Sequence, residues 1–443
     1  MRLSVIGCGY LGAVHAACMA DLGHEVVGVD VDAAKVDLLA AGTPPFHEPG
    51  FADLLERALA TGRLTFTTDP DAVASAQVHF VCVGTPQRED SYAADLRYVD
   101  DAVDALVARL APHPDGPVVV VGKSTVPVGT AERIAARIAR AAPDAGATLV
   151  WNPEFLREGF AIQDTVSPDR IVYGLPPGPD GERAAEVLDA VYADLLARGV
   201  PRLRTDYATS QLVKVAANSF LATKISFINA MAELCEATGA DVTELAEAIG
   251  YDDRIGRKFL RAGVGFGGGC LPKDIRAFMA RAGELGVDQA LTFLREVDAI
   301  NLRRREHVVE LAAAACGGSL SGARVAVLGA AFKPDSDDIR DSPALAVAEG
   351  VAGRGGQVVV TDPAALENVR RTRPHLRTEP DVRAALAGAD VVLLLTEWRE
   401  YVGLDPAEVG ELVARRQVVD GRNVLDPARW RAAGWTYRGL GRP

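Results

Sequence analysis

Short apolar runs alternate with longer mixed runs from Met1 to Thr205, and that alternation predicts strands and helices in turn. Arg2–Ile6 reads as a short buried strand, Gly7–Gly12 as a turn and Ala13–Leu22 as a helix. Glu25–Val29 is then the next strand, ending at Asp30. Val78–Val83, Val118–Val121, Leu149–Trp151 and Arg170–Tyr173 continue the series, with helical runs between them. Strands separated by helices imply a parallel, doubly wound sheet. From Asp206 to Ala237 the chain holds neither Gly nor Pro, and helical character continues to Leu311. That stretch is too long for a crossover helix and reads as a connector between domains. After the loop Cys316-Gly317-Gly318-Ser319 the alternation restarts. It predicts strands Arg324–Leu328, Gln357–Thr361, Val391–Thr396 and Gln417–Asp420, and a helix over Pro343–Arg354.

The first turn carries chemistry. Gly7-Cys8-Gly9-Tyr10-Leu11-Gly12 follows a strand and opens a helix, the setting in which G-x-G-x-x-G binds a dinucleotide. The first glycine permits the turn, the second lets pyrophosphate reach the backbone, and the third lets helix pack on strand. The helix N-terminus supplies N–H groups for the phosphates. Asp30 ends the next strand, where an acid binds the adenosine ribose hydroxyls and favours NAD over NADP. Lys35 either touches the ribose or is a solvated helix residue. Val83-Gly84-Thr85-Pro86 and Lys123-Ser124-Thr125-Val126-Pro127 end two later strands, the edge at which such sheets bind ligands, although Pro and Thr also suit ordinary turns. The fold class is therefore α/β: two Rossmann-like doubly wound domains joined by a long α-helical connector. The boundaries fall at 1–205, 206–315 and 316–443.

Composition removes several classes of function. The 443 residues are 49% hydrophobic and 24% charged, as in ordinary globular proteins, with a net charge of −13. That charge argues against nucleic acid or an anionic membrane as the main partner. Six cysteines without paired spacing favour a reducing, cytoplasmic setting, and seven scattered histidines argue against a zinc site. Met1–Ala20 is apolar enough to imitate a signal peptide behind Arg2, but Gly7, Gly9 and Gly12 would break its helix. No run approaches a membrane span.

Gly265-Phe266-Gly267-Gly268-Gly269-Cys270-Leu271-Pro272-Lys273-Asp274 sets one thiol in a glycine-crowded backbone. Three successive glycines suggest that something approaches the main chain closely. A thiolate there would be a nucleophile if positive charge or N–H groups stabilised it, and an inert cysteine in a Gly-rich turn otherwise. In Trp151-Asn152-Pro153-Glu154-Phe155-Leu156-Arg157-Glu158-Gly159, two acids lie one helical turn apart. On a helix Glu154 and Glu158 would share a face, one handling protons and the other positioning ligand, or would simply be a solvated helix start. Lys214 and Asn218 are likewise one turn apart among Leu212, Val213, Val215, Phe220 and Leu221. An amine and an amide on so apolar a helix need partners unless the lysine snorkels to solvent. With Cys270 and Asp274 they would make an oxyanion-stabilising set around a thiol.

These motifs occur together and in order. To those above are added Val128-Gly129-Thr130, which extends the run from Lys123, Phe332-Lys333-Pro334-Asp335 and Asp420-Gly421-Arg422-Asn423. Across almost its whole length the chain resembles the UDP-glucose/GDP-mannose dehydrogenase family of nucleotide-sugar dehydrogenases, and within it the branch acting on UDP-glucose. The resemblance implies roles. Cys270 would be the nucleophile, Lys214 and Asn218 the oxyanion stabilisers, Glu154 a proton acceptor or donor, and Asp274 an assistant to water. Thr125 and Glu158 would contact the nicotinamide region and an ordered water. Thr85, Lys273 and Arg340 would join the NAD site. Glu154, Phe155, Leu156, Arg157 and Glu158 would form one substrate segment. Phe259, Arg261 through Gly267, Phe332, Lys333 and Arg422 would meet the sugar nucleotide, with Arg254 reaching across a homodimer boundary. Gly269 departs from the pattern, since relatives usually carry serine there.

The implied chemistry is a double oxidation of UDP-glucose to UDP-glucuronate with NAD, through a cysteine thiohemiacetal and thioester. The rivals are a GDP-mannose or UDP-N-acetylmannosamine dehydrogenase on the same scaffold, and a non-catalytic dinucleotide-binding regulator.

Overall fold

The computed structural model describes all residues from Met1 to Pro443. They gather into two compact units, Met1–Ala217 with Arg276–Leu285, and Asn218–Ile275 with Gly286–Pro443.

The first unit is built on eight strands: β1 (Arg2–Ile6), β2 (Glu25–Val29), β3 (Leu64–Thr67), β4 (Val78–Val81), β5 (Val119–Gly122), β6 (Thr148–Trp151), β7 (Ile171–Leu175) and β8 (Arg202–Asp206). Their order is β3-β2-β1-β4-β5-β6-β7-β8. β1 to β6 are parallel, as the strand–helix alternation requires, but β7 meets β6 antiparallel and pairs in parallel with β8. The link from β6 to β7 begins as an irregular loop and holds only a six-residue helix, Ala161–Val166. Residues 152–170 would suffice for a crossover by length, but with only this short helix among them the chain returns antiparallel to β6. β8 reads Arg-Leu-Arg-Thr-Asp and is largely exposed, so its pattern does not announce a strand. The central strands are buried on both faces: Val119 and Val121 enter one core with Leu3, Val5 and Phe80, while Val120 enters the other with Val81 and Trp151.

The helix after β1 spans Tyr10–Asp21, three residues earlier than Ala13. Gly9 is its N-cap, and the Ala13 N–H donates to the Gly9 carbonyl at 2.9 Å, so the third glycine of the turn lies inside the first helical turn.

A 32-residue helix, Tyr207–Thr238, follows β8 without a gap, Asp206 accepting from the Thr209 N–H at 2.7 Å. The helical run expected as far as Leu311 is divided into Val242–Gly250, Leu271–Glu284 and Thr292–Ala315, with an irregular segment carrying the glycine-rich loop before Leu271. No helix is long and apolar enough to cross a membrane.

The second sheet is wholly parallel: β9 (Arg324–Leu328), β10 (Gln357–Thr361), β11 (Arg377–Thr378), β12 (Val391–Leu394), β13 (Gln417–Asp420) and β14 (Thr436–Gly439), in the order β11-β10-β9-β12-β13-β14. Val325, Val327, Leu393, Trp398, Trp430 and Trp435 lie in its core. Asp362, just past β10, is buried and accepts five bonds: from the Ala330 and Ala331 N–H groups and the Trp398 indole on Oδ2, and from the Ala364 and Ala365 N–H groups on Oδ1. Removing it strands several buried N–H groups. Asp362→Ala is expected to destabilise this sheet by about 3 kcal/mol or more, and Asp362→Asn, which keeps one acceptor oxygen, by less. Urea unfolding followed by tryptophan fluorescence measures the difference, and an unchanged midpoint in Asp362→Ala would remove the carboxylate from this role.

Candidate active site

Three glycines shape the first turn differently. Gly7 has φ +89°, and a Cβ there would lie 2.7 Å from Val83 Cγ1. At Gly12 a Cβ would stand 1.9 Å from the Gly7 carbonyl oxygen, so the close approach of helix to turn depends on its absence. A Cβ on Gly9 would meet nothing within 4 Å, which leaves that side of the backbone open where a pyrophosphate would come down. Asp30 Oδ2 accepts from the Cys8 N–H at 2.7 Å and from Lys35 Nζ at 3.0 Å, and Oδ1 from the Asp32 N–H at 3.0 Å. Lys35 thus pairs with the acid. A carboxylate offers about four acceptor positions, so Asp30 keeps capacity for a ribose hydroxyl. These residues fit a dinucleotide.

The strand ends beside this turn are tied together. Thr85 Oγ1 donates to the Thr125 carbonyl at 2.8 Å, and Ser124 Oγ to the Val83 carbonyl at 2.7 Å. Buried Lys123 donates to Asn152 Oδ1 at 3.0 Å, Tyr192 donates to the same oxygen at 2.9 Å, and Asn152 Nδ2 reaches the Val172 carbonyl at 2.9 Å. Burial lowers the Lys123 pKa. Asn152 therefore fixes the start of the two-glutamate segment.

That segment is not a helix. Residues 152–157 have no regular structure and Glu158 and Gly159 form a turn, so Glu154 and Glu158 do not share a helical face. Pro153 disfavours helix at Asn152, and Glu154 Oε2 closes a local turn by accepting from the Leu156 N–H at 2.8 Å. Glu154 Oε1 lies 2.9 Å from Lys214 Nζ, with both side chains largely buried. The Phe155 ring lies under two cations, Arg170 at 3.8 Å and Lys214 at 5.5 Å from its centroid. Arg157 grips Asp164 with two nitrogens, at 2.8 and 2.7 Å.

In the second unit, Cys270 stands just before the Leu271–Glu284 helix, and its carbonyl accepts from the Asp274 N–H at 2.9 Å. Of the six cysteines, none of them in a disulfide, it alone is exposed. Burial pushes the thiols of Cys18 and Cys82 up to about 12, and that of Cys8 higher still with help from the Asp30 charge. Buried Asp274 accepts from Asn218 Nδ2 at 2.7 Å and from Lys273 Nζ at 2.6 Å.

The glycines before Cys270 have visible neighbours. A Cβ would meet Asn301 Oδ1 at Gly265 (2.3 Å), the Asp341 carbonyl at Gly267 (2.3 Å), the Phe332 ring at Gly268 (2.8 Å) and the Arg340 guanidinium at Gly269 (2.3 Å). The crowding comes largely from the segment Phe332–Asp341. Gly269, the departure from the family pattern, leaves room for Arg340, which is held by Asp338 at 2.7 Å. Asn301, fully buried, accepts from the Phe266 N–H at 2.7 Å and donates to its carbonyl at 3.0 Å. Arg422 donates to the carbonyls of Leu395, Gly265 and Phe332 at 2.7, 3.0 and 3.1 Å, and Lys333 Nζ sits 5.4 Å from the Phe332 ring centre. Arg254 is exposed and pairs with Asp252 at 2.6 Å. Phe259 has φ +63°, a left-handed conformation costly for an aromatic residue.

Sequence reasoning passed over two residues that organise these parts, Glu48 and Asn301. Glu48 lies in a Pro- and Gly-rich loop that signals only a turn. Asn301 shares its helix with many Arg, Glu and Asp residues, Asp298, Arg304 and Arg305 also buried, so the sequence does not single it out.

Comparison with known proteins accords with this arrangement. Residues 1–196 match the model of the UDP-glucose/GDP-mannose dehydrogenase family NAD binding domain, 208–303 its central domain and 326–427 its UDP binding domain. The chain is 43% identical over 444 residues to the UDP-glucose 6-dehydrogenase of Rhizobium meliloti (strain 1021), covering 100% of both. It is 40% identical over 454 residues to that of Pseudomonas aeruginosa, covering 100% of this chain and 98% of that one. Its structure is similar to that of a UDP-glucose dehydrogenase from the hyperthermophilic archaeon Pyrobaculum islandicum, with TM-score 0.89 and 40% identity over 100% of this chain and 98% of that chain. A UDP-D-ManNAc dehydrogenase from Pyrococcus horikoshii gives TM-score 0.86 at 26% identity over 100% and 99%.

The Asp30 geometry yields a test of the cofactor pocket. Asp30→Ala removes the acid expected to accept from a ribose hydroxyl together with the anchor of the Cys8 N–H. NAD is expected to bind about tenfold more weakly, and the preference over NADP to narrow. Fluorescence titration of both dinucleotides checks this.

Proposed function

The chain belongs to the UDP-glucose/GDP-mannose dehydrogenase family, and on that premise we propose that it oxidises UDP-glucose to UDP-glucuronate in two steps at Cys270. NAD is its cofactor, and when bound it supplies the hydride acceptor for each step. The observation that carries the reading is the single exposed thiol at a helix N-terminus, four residues before a buried carboxylate that already holds Asn218 and Lys273. The 43% and 40% identities to relatives named for UDP-glucose, against 26% to the ManNAc enzyme, support glucose over the alternative sugars.

In the first oxidation the C6 carbon gives up a hydride and its hydroxyl proton passes to Glu154. Lys214, paired with Glu154, and Asn218 donate hydrogen bonds to the oxygen. Asn218 spends one amide hydrogen on Asp274 and has a second to give. The Cys270 thiolate, at the positive end of its helix, then attacks the aldehyde carbon. A C–S bond forms and the carbonyl pair moves to oxygen, giving a thiohemiacetal after protonation. Loss of the second hydride and of the hydroxyl proton leaves a thioester. Asp274 takes a proton from water as the water attacks, the C–S bond breaks, and carboxylate and thiolate are released. Thr125 and Glu158 line the nicotinamide end, with Tyr10, Leu11, Thr85, Lys273 and Arg340 completing the cofactor contacts. Phe155, Leu156 and Arg157 adjoin the sugar. Phe259, Arg261 through Gly267, Phe332, Lys333 and Arg422 hold the sugar nucleotide. On this reading residues 1–205, 206–315 and 316–443 bind NAD, carry the thiol and bind the uridine nucleotide.

We further propose a homodimer in which Arg254 serves the second subunit's site. Phe220, Phe227 and Leu234, seven residues apart on the Tyr207–Thr238 helix, are 67%, 48% and 58% exposed. That spacing sets them on one face, the pattern by which helices pair. The absence of disulfides among the six cysteines supports a reducing, cytoplasmic setting.

The purified protein is expected to yield two NADH per UDP-glucose consumed without free aldehyde. A ratio of one with trapped aldehyde would overturn the double oxidation, and turnover only with GDP-mannose or UDP-N-acetylmannosamine would reassign the sugar. Cys270→Ala should abolish carboxylate formation while leaving NAD binding intact. Cys270→Ser should accumulate an ester visible by intact mass, because an oxygen ester resists hydrolysis more than a thioester. Phe227→Asp should shift the species seen by sedimentation velocity from dimer to monomer.

A further inference from the structure

Glu48 is nine-tenths buried and lies outside every group assigned above, yet it joins two parts of the first unit that the reaction needs. Its Oε2 accepts from the Tyr10 phenol and, at 2.7 Å, from the Gly159 N–H. Its Oε1 accepts from the Ala161 N–H at 2.8 Å. The Gly159 N–H is also within 2.9 Å of Tyr10 Oη, so phenol, carboxylate and loop amide form one closed set. Tyr10 is the first residue of the helix that opens at the dinucleotide turn, and Gly159 directly follows Glu158. The Tyr10 ring is fixed from the other side by Phe46, 4.8 Å away, which stacks on Phe51. Burial, then the bond to Glu48, raises the Tyr10 pKa, so the phenol keeps its proton and remains a donor; the Glu158 charge acts in the same direction.

We infer that Glu48 is a positioning residue: through Tyr10 it fastens the segment carrying Glu154 and Glu158 to the start of the dinucleotide-binding helix, so that cofactor and glutamates are held in one register. This rests on the proposed roles of those glutamates. The argument is one of satisfaction. Past Asn152, whose N–H donates to the Gly122 carbonyl at 2.8 Å, residues 153–159 belong to no helix or strand, and an irregular loop keeps one geometry only where its amides have fixed acceptors. A carboxylate suits the task because it accepts at both oxygens. Glutamine in the same place must turn its NH2 group toward either the Gly159 or the Ala161 N–H, and one bond becomes a clash of donors. Tyr10, a member of the glycine-turn motif, thereby has a hydroxyl role separate from its backbone N–H at the helix start.

The test uses the whole chain. Glu48→Gln is expected to speed amide hydrogen exchange at Gly159 and Ala161 at least about tenfold while exchange in β1, β4 and β5 stays unchanged. The NAD dissociation constant should remain within about threefold, and kcat with UDP-glucose should fall about tenfold or more. That split between binding and turnover separates positioning from general loosening of the fold, which would move both. Tyr10→Phe, which deletes one donor and leaves the carboxylate, should show the same pattern at smaller size, and it decides the matter if Glu48→Gln does not fold. Unchanged exchange at both amides, or unchanged kcat in both variants, would overturn the inference. If the wild-type chain did not oxidise UDP-glucose, the proposed function would fail, while exchange and NAD binding would still decide whether Glu48 fastens the loop.

Discussion

A parallel sheet ends every strand on the same edge, and the turns that leave that edge carry main-chain N–H groups with no strand to accept them. In this chain buried carboxylates accept them, and the rest of the architecture depends on it. Asp30 takes the Cys8 and Asp32 N–H groups. Asp362 takes four N–H groups around β9 and β10, and Asp420 takes those of Arg422, Val424 and Leu425 together with the Tyr437 phenol. Each carboxylate holds a ligand-edge turn in one conformation. For Asp420 burial raises the pKa, and the bonds from Leu425, Arg422, Tyr437 and Val424 offset only part of that.

The same device separates the two Rossmann-like sheets by function. Asp30 and Asp362 occupy the same place, just past the second strand of each sheet in chain order. Asp30 retains an open acceptor position, whereas Asp362 is saturated by main-chain donors and the Trp398 indole. A carboxylate already fully bonded has nothing left for a ribose. The second sheet keeps the frame of a dinucleotide domain and has filled its acid from within, in keeping with a region that matches a UDP binding domain.

Much of the fold was legible because buried parallel strands are continuous apolar runs, and because the glycine turn, its strand, its helix and Asp30 agreed with one another. The reversal of β7 against β6 was not, since the link between them is long enough for a crossover and its polarity does not announce that it holds only a six-residue helix. Glu154 and Glu158 were misplaced onto a helix because spacing alone cannot see Asn152 pinned by Lys123 or the proline that follows it. The glycine-rich loop was correctly read as a place of close approach. The approaching groups, Asn301 and Phe332–Asp341, are distant in sequence and could not be read from the loop itself. The helix start at Tyr10 shows a smaller error of the same kind: glycines were taken to exclude helix, where Gly12 in fact permits helix and turn to touch.

Burial sorts the six thiols into unequal classes. Four are sealed in cores, Cys316 is half-covered, and Cys270 alone faces solvent. Chemical access therefore coincides with the residue on which the proposed chemistry depends, which gives the enzyme a built-in titration. One equivalent of a mild thiol reagent would count working sites directly, and one peroxide encounter at the same sulfur would silence a site without disturbing the fold around it.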